Sequence, residues 1–120
     1  ITLVEERRLR AEFLRNVAEE LQLANVTVQH ARAERLPTSD HQVISARAFA
    51  PLPKLLDLAV RFSTEKTLWL LPKGRNAAAE LEAAAPAWQG AFRLEPSLTD
   101  PEAAIIVAQG VRRRSAGRAA

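Results

Sequence analysis

The chain has no cysteine among its 120 residues. Disulfides and thiolate metal sites are therefore excluded, and the expectation is a reducing, cytoplasmic setting. Glycine is scarce. Its four positions, Gly74, Gly90, Gly110 and Gly117, are scattered. None belongs to a G-x-G-x-x-G or P-loop word, so these residues hold no loop of the kind that cradles a phosphate or a methionine moiety. The two histidines, His30 and His41, are isolated, and no metal site is expected. Asp40, His41 and Ser45 are too close in sequence to suggest a catalytic triad. No apolar run approaches ~18 residues, so no membrane span is expected. The opening Ile1-Thr2-Leu3-Val4-Glu5-Glu6-Arg7 has no signal-peptide layout and no initiator methionine; the chain starts in the middle of what reads as a strand.

What remains is an ordinary globular composition, 48% hydrophobic, sized for one small domain or part of one with a modest core. Seventeen basic residues face fourteen acidic ones, for a net charge of +3. The bases are unevenly placed: Arg7, Arg8, Arg10 and Arg15 near the start, Arg112, Arg113, Arg114 and Arg118 at the end. Such clusters favour polyanions such as nucleic acid. On composition alone, a solvated face and a frayed, soluble tail are the simpler account of them.

Periodicity divides the chain. Residues 1–5 read as a buried strand ending in an acid. Residues 7–23 carry Leu9, Phe13, Leu14, Val17, Ala18 and Leu21 at helical spacing. Val26 to Gln29 is a second strand, residues 31–36 a short connection, and Pro37 to Asp40 a loop. Val43 to Ser45 is a third strand, and a helix follows from Pro51 to about Phe62, where a proline at the start is tolerated. Thr67 to Leu71 is a strand and Ala77 to Ala85 an alanine-rich helix closed by Pro86. Gln89 to Leu94 and Ala103 to Gln109 are two final strands in succession, joined by a loop from Pro96 to Pro101. Arg, Ser, Gly and Ala from Gly110 onward suggest a disordered tail. Alternating strands and helices predict an α/β doubly wound sheet ending in an antiparallel pair.

Ligands of such sheets bind outside the carboxyl ends of the strands. Four places qualify. Glu5 ends the first strand, where an acid can accept both hydrogen bonds of a ribose diol; favourable placement at a helix start explains it equally. Ala33-Glu34 follows the second strand and could lie against a flat base, or be an ordinary polar turn. Arg47 stands between Ala46 and Ala48, which leave room for a carboxylate or phosphate to meet its guanidinium; the alternative is a surface arginine paired with Asp57 or Glu34. Lys73-Gly74 ends the fourth strand and suits a phosphate or purine edge, or simply opens a helix.

Thr2-Leu3-Val4-Glu5, Phe13-Leu14-Arg15, Ala31-Arg32-Ala33-Glu34, the run from Val43 to Leu52, Leu71-Pro72-Lys73-Gly74 and the later Glu95-to-Ile105 segment occur in an order that resembles the small-subunit ribosomal RNA methyltransferase G family, also called glucose-inhibited division protein B. The resemblance implies a class I methyltransferase (Rossmann-like) fold, mostly parallel with an antiparallel C-terminal strand. It implies transfer of a methyl group from S-adenosylmethionine to N7 of a guanine in 16S rRNA. The alternatives are a non-catalytic RNA- or ribosome-binding remnant and, more remotely, half of a nucleotide-binding oxidoreductase. By resemblance Glu5 holds the cofactor's ribose, Ala33 and Glu34 its adenine side, Arg47 a further cofactor contact, and Lys73 lies near the RNA side; Arg10, from the N-terminal basic cluster, is the other expected RNA contact. The partner is 16S rRNA or the small ribosomal subunit, with a monomer as the default. Two departures stand out. The family's first strand and glycine-rich loop, which precede the Thr2–Glu5 segment in members, have no counterpart here, and His41-Gln42 replaces an aromatic or small residue and Asp. The chain is thus expected to be the C-terminal two-thirds of such an enzyme, with residues 1–110 a partial methyltransferase domain, incomplete at the N-terminus, and residues 111–120 a basic disordered tail.

Overall fold

A computed structural model describes residues 1–47 and 49–115. The described part of the chain divides into two compact units, Ile1–Pro37 and the residues from Thr38 onward. No helix among the described residues is long and apolar enough to cross a membrane.

In the first unit, strand β1 (Thr2–Glu5) pairs in parallel with β2 (Thr27–His30), in a register from Thr2 opposite Thr27 to Glu5 opposite His30. Helix α1 (Arg8–Glu20) connects them. Its ending is built locally: Gln22 takes a left-handed φ of 56° and the Leu23 N–H donates back to the Ala18 carbonyl at 2.8 Å. The covered stripe of α1 runs through Ala11, which is buried, and Leu14, Val17 and Ala18, which are half-buried. Leu9 and Phe13, which the spacing places on the apolar face, remain 69% and 64% exposed. At about 100° per residue they fall on a different face from that stripe.

The second unit carries the core. Its four strands lie in the order β3 (Val43–Ser45), β4 (Leu68–Lys73), β6 (Ala104–Arg113), β5 (Trp88–Pro96). β3 and β4 are parallel, whereas β6 runs antiparallel to both β4 and β5. β5 therefore points the same way as β3 and β4, and only β6 is reversed. Helix α2 (Leu52–Ala59) buries Leu52, Leu55, Leu56 and Ala59, the i, i+3, i+4, i+7 stripe that its sequence advertises. Helix α3 (Ala77–Ala84) buries Ala77 and Ala84. Both helices pack into one cluster with Trp69 and Leu71 of β4 and Ile106 and Ala108 of β6, residues that the register aligns on a single face of the sheet.

The strand ends correct the sequence reading. β6 does not stop at Gln109 but continues through Arg113. Trp88 pairs with Arg113 and Gln89 with Arg112, the Arg113 guanidinium lies 4.4 Å over the Trp88 ring and pairs with Asp57, and Arg114 donates to the backbone of Ala85 and Ala87. Residues 111–113 thus belong to the sheet and not to a tail, with Arg114 bonded to the backbone just beyond it: a ladder partner and an aromatic face hold a composition that looks disordered in isolation. The tail expected over 116–120 lies outside the described residues. Pro96 likewise belongs to β5, leaving Ser97 to Ala103 as the loop.

Candidate functional site

Because β3, β4 and β5 point the same way, their carboxyl ends share one edge of the second unit. β3 delivers Ala46 and Arg47 there, β4 delivers Lys73 and Gly74, and β5 opens into the Ser97–Ala103 loop. These ends surround a cleft of about 690 Å³ whose walls include Arg47, Phe49, Lys73, Glu80, Ser97 and Asp100. The sequence reading brought Arg47 and Lys73 to this edge, and the structure places both on its cleft.

Arg47 is exposed and makes no hydrogen bond or ion pair with the described residues. Asp57, one partner considered for it, is held by Arg113 instead. Its guanidinium is left available to a carboxylate or phosphate. Phe49, half-exposed, adds an aromatic wall. The loop is stiffened by its own short bonds: Ser97 Oγ accepts from the N–H groups of Thr99 (3.2 Å) and Asp100 (3.3 Å), and Asp100 Oδ1 accepts from the Glu102 N–H (2.9 Å). The Ser97-to-Asp100 turn chemistry was legible as a loop. That it closes the same cleft depends on the reversed strand β6 and had no local signal.

Lys73 is not an open cation. Its side chain is 10% exposed, its ammonium donates to the Ala50 carbonyl at 2.8 Å, and it lies 3.0 Å from Glu80 Oε1. The same Glu80 oxygen accepts the Leu52 N–H at 2.7 Å. This arrangement does not favour the expected contact of Lys73 with RNA phosphates, because its charge is already met inside the protein. Glu80 had no reason to be noticed in the sequence; an acid in the first turn of a helix looks like an ordinary dipole partner.

In the first unit, Glu5 stands at the carboxyl end of β1. Its Oε1 is buried and has no hydrogen-bond partner; the nearest cation, Arg10 Nη1, is 4.0 Å away. A buried acceptor without a donor costs about 1–3 kcal/mol, and a diol would satisfy it, so this residue fits the ribose of a nucleoside cofactor. Ala33 and Glu34 form a short 3₁₀ turn after β2. Arg10 is open to solvent, its side chain 68% exposed.

Solved methyltransferases of class I share this architecture, and the chain has their fold. It aligns with the M. jannaschii protein TYW2 in complex with AdoMet at a TM-score of 0.64 and 13% identity, over 95% of this chain and 57% of that one. An rRNA methylase from Streptococcus thermophilus aligns at a TM-score of 0.62 and 10% identity, over 92% and 73%. At the level of sequence, the family described as GidB, rRNA small subunit methyltransferase G, matches residues 1–97, and the chain belongs to that family. Ribosomal RNA small subunit methyltransferase G of Rhizorhabdus wittichii is 62% identical over 119 residues, covering 98% of this chain and 55% of that protein. Its counterpart in Novosphingobium aromaticivorans is 53% identical over 107 residues, covering 89% and 46%. The chain spans about half the length of the curated relatives it matches.

Proposed function

We propose that the protein to which this chain belongs transfers a methyl group from S-adenosylmethionine to ribosomal RNA, and that the acceptor is N7 of a guanine in 16S rRNA. The observation that carries this reading is the family match over residues 1–97, which takes in Glu5, Ala33, Glu34 and Arg47 in order. The cofactor, when bound, supplies an already activated methyl group on a sulfonium. Guanine N7 has a free lone pair at neutral pH, so no general base is required. The work of the protein residues is then binding, alignment and exclusion of water.

The carboxylate of Glu5 accepts the ribose hydroxyls, and Ala33 and Glu34 lie on the adenine side. Arg47 binds an anionic part of the cofactor or shapes the pocket beside it. Arg10, exposed, meets RNA phosphate. An unpaired or irregular segment of RNA presents its base more readily than an A-form helix does. The setting that goes with this reading is the cytoplasm.

The test is calorimetric titration of S-adenosylmethionine into two forms, the 120-residue chain and the protein with whatever coding sequence lies in frame upstream of Ile1. It is paired with methyl incorporation into 16S rRNA and small ribosomal subunits, mapped to the modified atom. Binding in the longer form and a label on guanine N7 support the reading. Absence of cofactor binding in both forms overturns it, and RNA affinity without cofactor binding favours the remnant instead.

A further inference from the structure

We propose that Glu80 is a positioning residue of the ligand edge, and that Lys73 acts as its counterion and not as a phosphate ligand. The inference rests on the proposed function and names what fixes the Ala50–Pro51 wall of that site. Between β3 and α2, Arg47 and Phe49 line the cleft, and the described residues Ala46, Arg47, Phe49, Ala50 and Pro51 lie in no helix or strand. Two side-chain hydrogen bonds fasten its far end. The Lys73 ammonium donates to the Ala50 carbonyl at 2.8 Å, and Glu80 Oε1 accepts the Leu52 N–H at 2.7 Å. The same oxygen is 3.0 Å from the Lys73 nitrogen. One carboxylate from α3 and one ammonium from β4 therefore grip the backbone on both sides of Pro51.

The sequence makes this grip necessary. The first N–H groups of a helix have no partner within it. Pro51 and Pro53 have no N–H at all, so they relieve two of these positions, but Leu52 between them retains one. Pro51, at the N-cap, has no side chain able to bond that N–H. Glu80, twenty-eight residues away, does so. The side chains of Lys73 and Glu80 are only 10% and 22% exposed, where a charge-assisted contact outweighs an ordinary surface pair. Loss of either partner leaves the other charge poorly compensated in that setting. Fixing the start of α2 thereby holds Ala50 and Pro51, which line the cleft.

Amide hydrogen exchange of Leu52 reads the clamp independently of any activity. Leu52 should be protected in the unmodified protein. Glu80→Ala should speed its exchange by roughly tenfold or more, from the loss of a charge-assisted bond, with Leu55 and Leu56 unchanged. Glu80→Gln, which retains an acceptor, should restore most of the protection. Unchanged Leu52 exchange in Glu80→Ala, in a variant still folded by circular dichroism, overturns the proposal.

The second measurement concerns the counterion. RNA affinity is followed against salt for Lys73→Met, alone and with Glu80→Gln. A positioning role predicts an unaltered salt slope and a double variant no worse than Lys73→Met. A phosphate contact predicts a slope smaller by about one and additive losses; that result overturns the assignment of Lys73. If the unmodified protein binds neither RNA nor S-adenosylmethionine, the functional reading fails while the Leu52 measurement still decides the clamp.

Discussion

Thr67 is fully buried, and its hydroxyl is used in both directions. It donates to the His41 carbonyl at 2.6 Å and accepts the Thr64 N–H at 2.8 Å, tying the approaches to β3 and β4 together. Valine has the same shape but would leave both backbone groups without that partner. Thr67→Val should therefore destabilise the second unit by about 2 kcal/mol, measured as a lower urea midpoint at constant slope. Arg47 is the opposite case, a side chain with no hydrogen-bond or ion-pair partner among the described residues. Arg47→Ala should leave the urea midpoint within about 0.5 kcal/mol of the original. Binding of S-adenosylmethionine to the upstream-extended protein should weaken by roughly 10- to 100-fold, the range for one hydrogen bond to a charged group. Equal affinity in calorimetry would return Arg47 to the role of a surface arginine. Its candidacy was legible because Ala46, Pro51 and the strand end are all local features. Glu80 was not, because its partners are remote in sequence.

At the scale of elements, β5 and β6 form the least regular and most consequential pair. Their register shifts between Gln89 and Ala91, and Gly90 there has a φ of 153°. A side chain at Gly90 would place its Cβ 3.0 Å from the Gln109 carbonyl oxygen, 3.1 Å from Phe92 Cε1 and 3.2 Å from the Gly110 carbonyl oxygen. Gly90→Ala should therefore cost about 1–3 kcal/mol. Gly74→Ala meets nothing within 4 Å and should change stability by no more than about 0.5 kcal/mol. Parallel thermal melts of the two variants check the contrast. The short strand Val43–Ser45 and the start of the alanine-rich helix at Ala77 stand where periodicity put them. The end of β6 does not, because its Arg-rich composition carries no sign of the Trp88 face and the β5 ladder that retain it.

At the scale of the whole molecule, the two units differ sharply in how much they bury. The first has 37 residues and one fully buried side chain, Ala11, with Leu9, Phe13 and Leu21 largely exposed. Chains below about 40 residues seldom fold alone, and a two-stranded sheet is marginal by itself. The second unit holds all of the clustered core, including both tryptophans. The fragment 38–120 should unfold cooperatively on heating, with a red shift of tryptophan emission, while the peptide 1–37 should show no cooperative transition by circular dichroism. A sharp transition in the peptide, or a featureless melt of the larger fragment, would contradict this division.

The sequence by itself determined the period of each element, the parallel direction of β3 and β4 through the helix between them, and the arrival of Arg47 at a strand end. These properties come from neighbours within a few positions, where hydrophobic spacing and proline act directly. Tertiary structure alone decided that β6 inserts between β4 and β5, that the Ser97–Ala103 loop therefore lines the Arg47 cleft, and that Lys73 spends its charge on Glu80 and Ala50. A hydrogen bond across twenty-eight residues leaves no periodic trace in a sequence; it exists because packing brings a lone N–H and a carboxylate within reach where water is scarce.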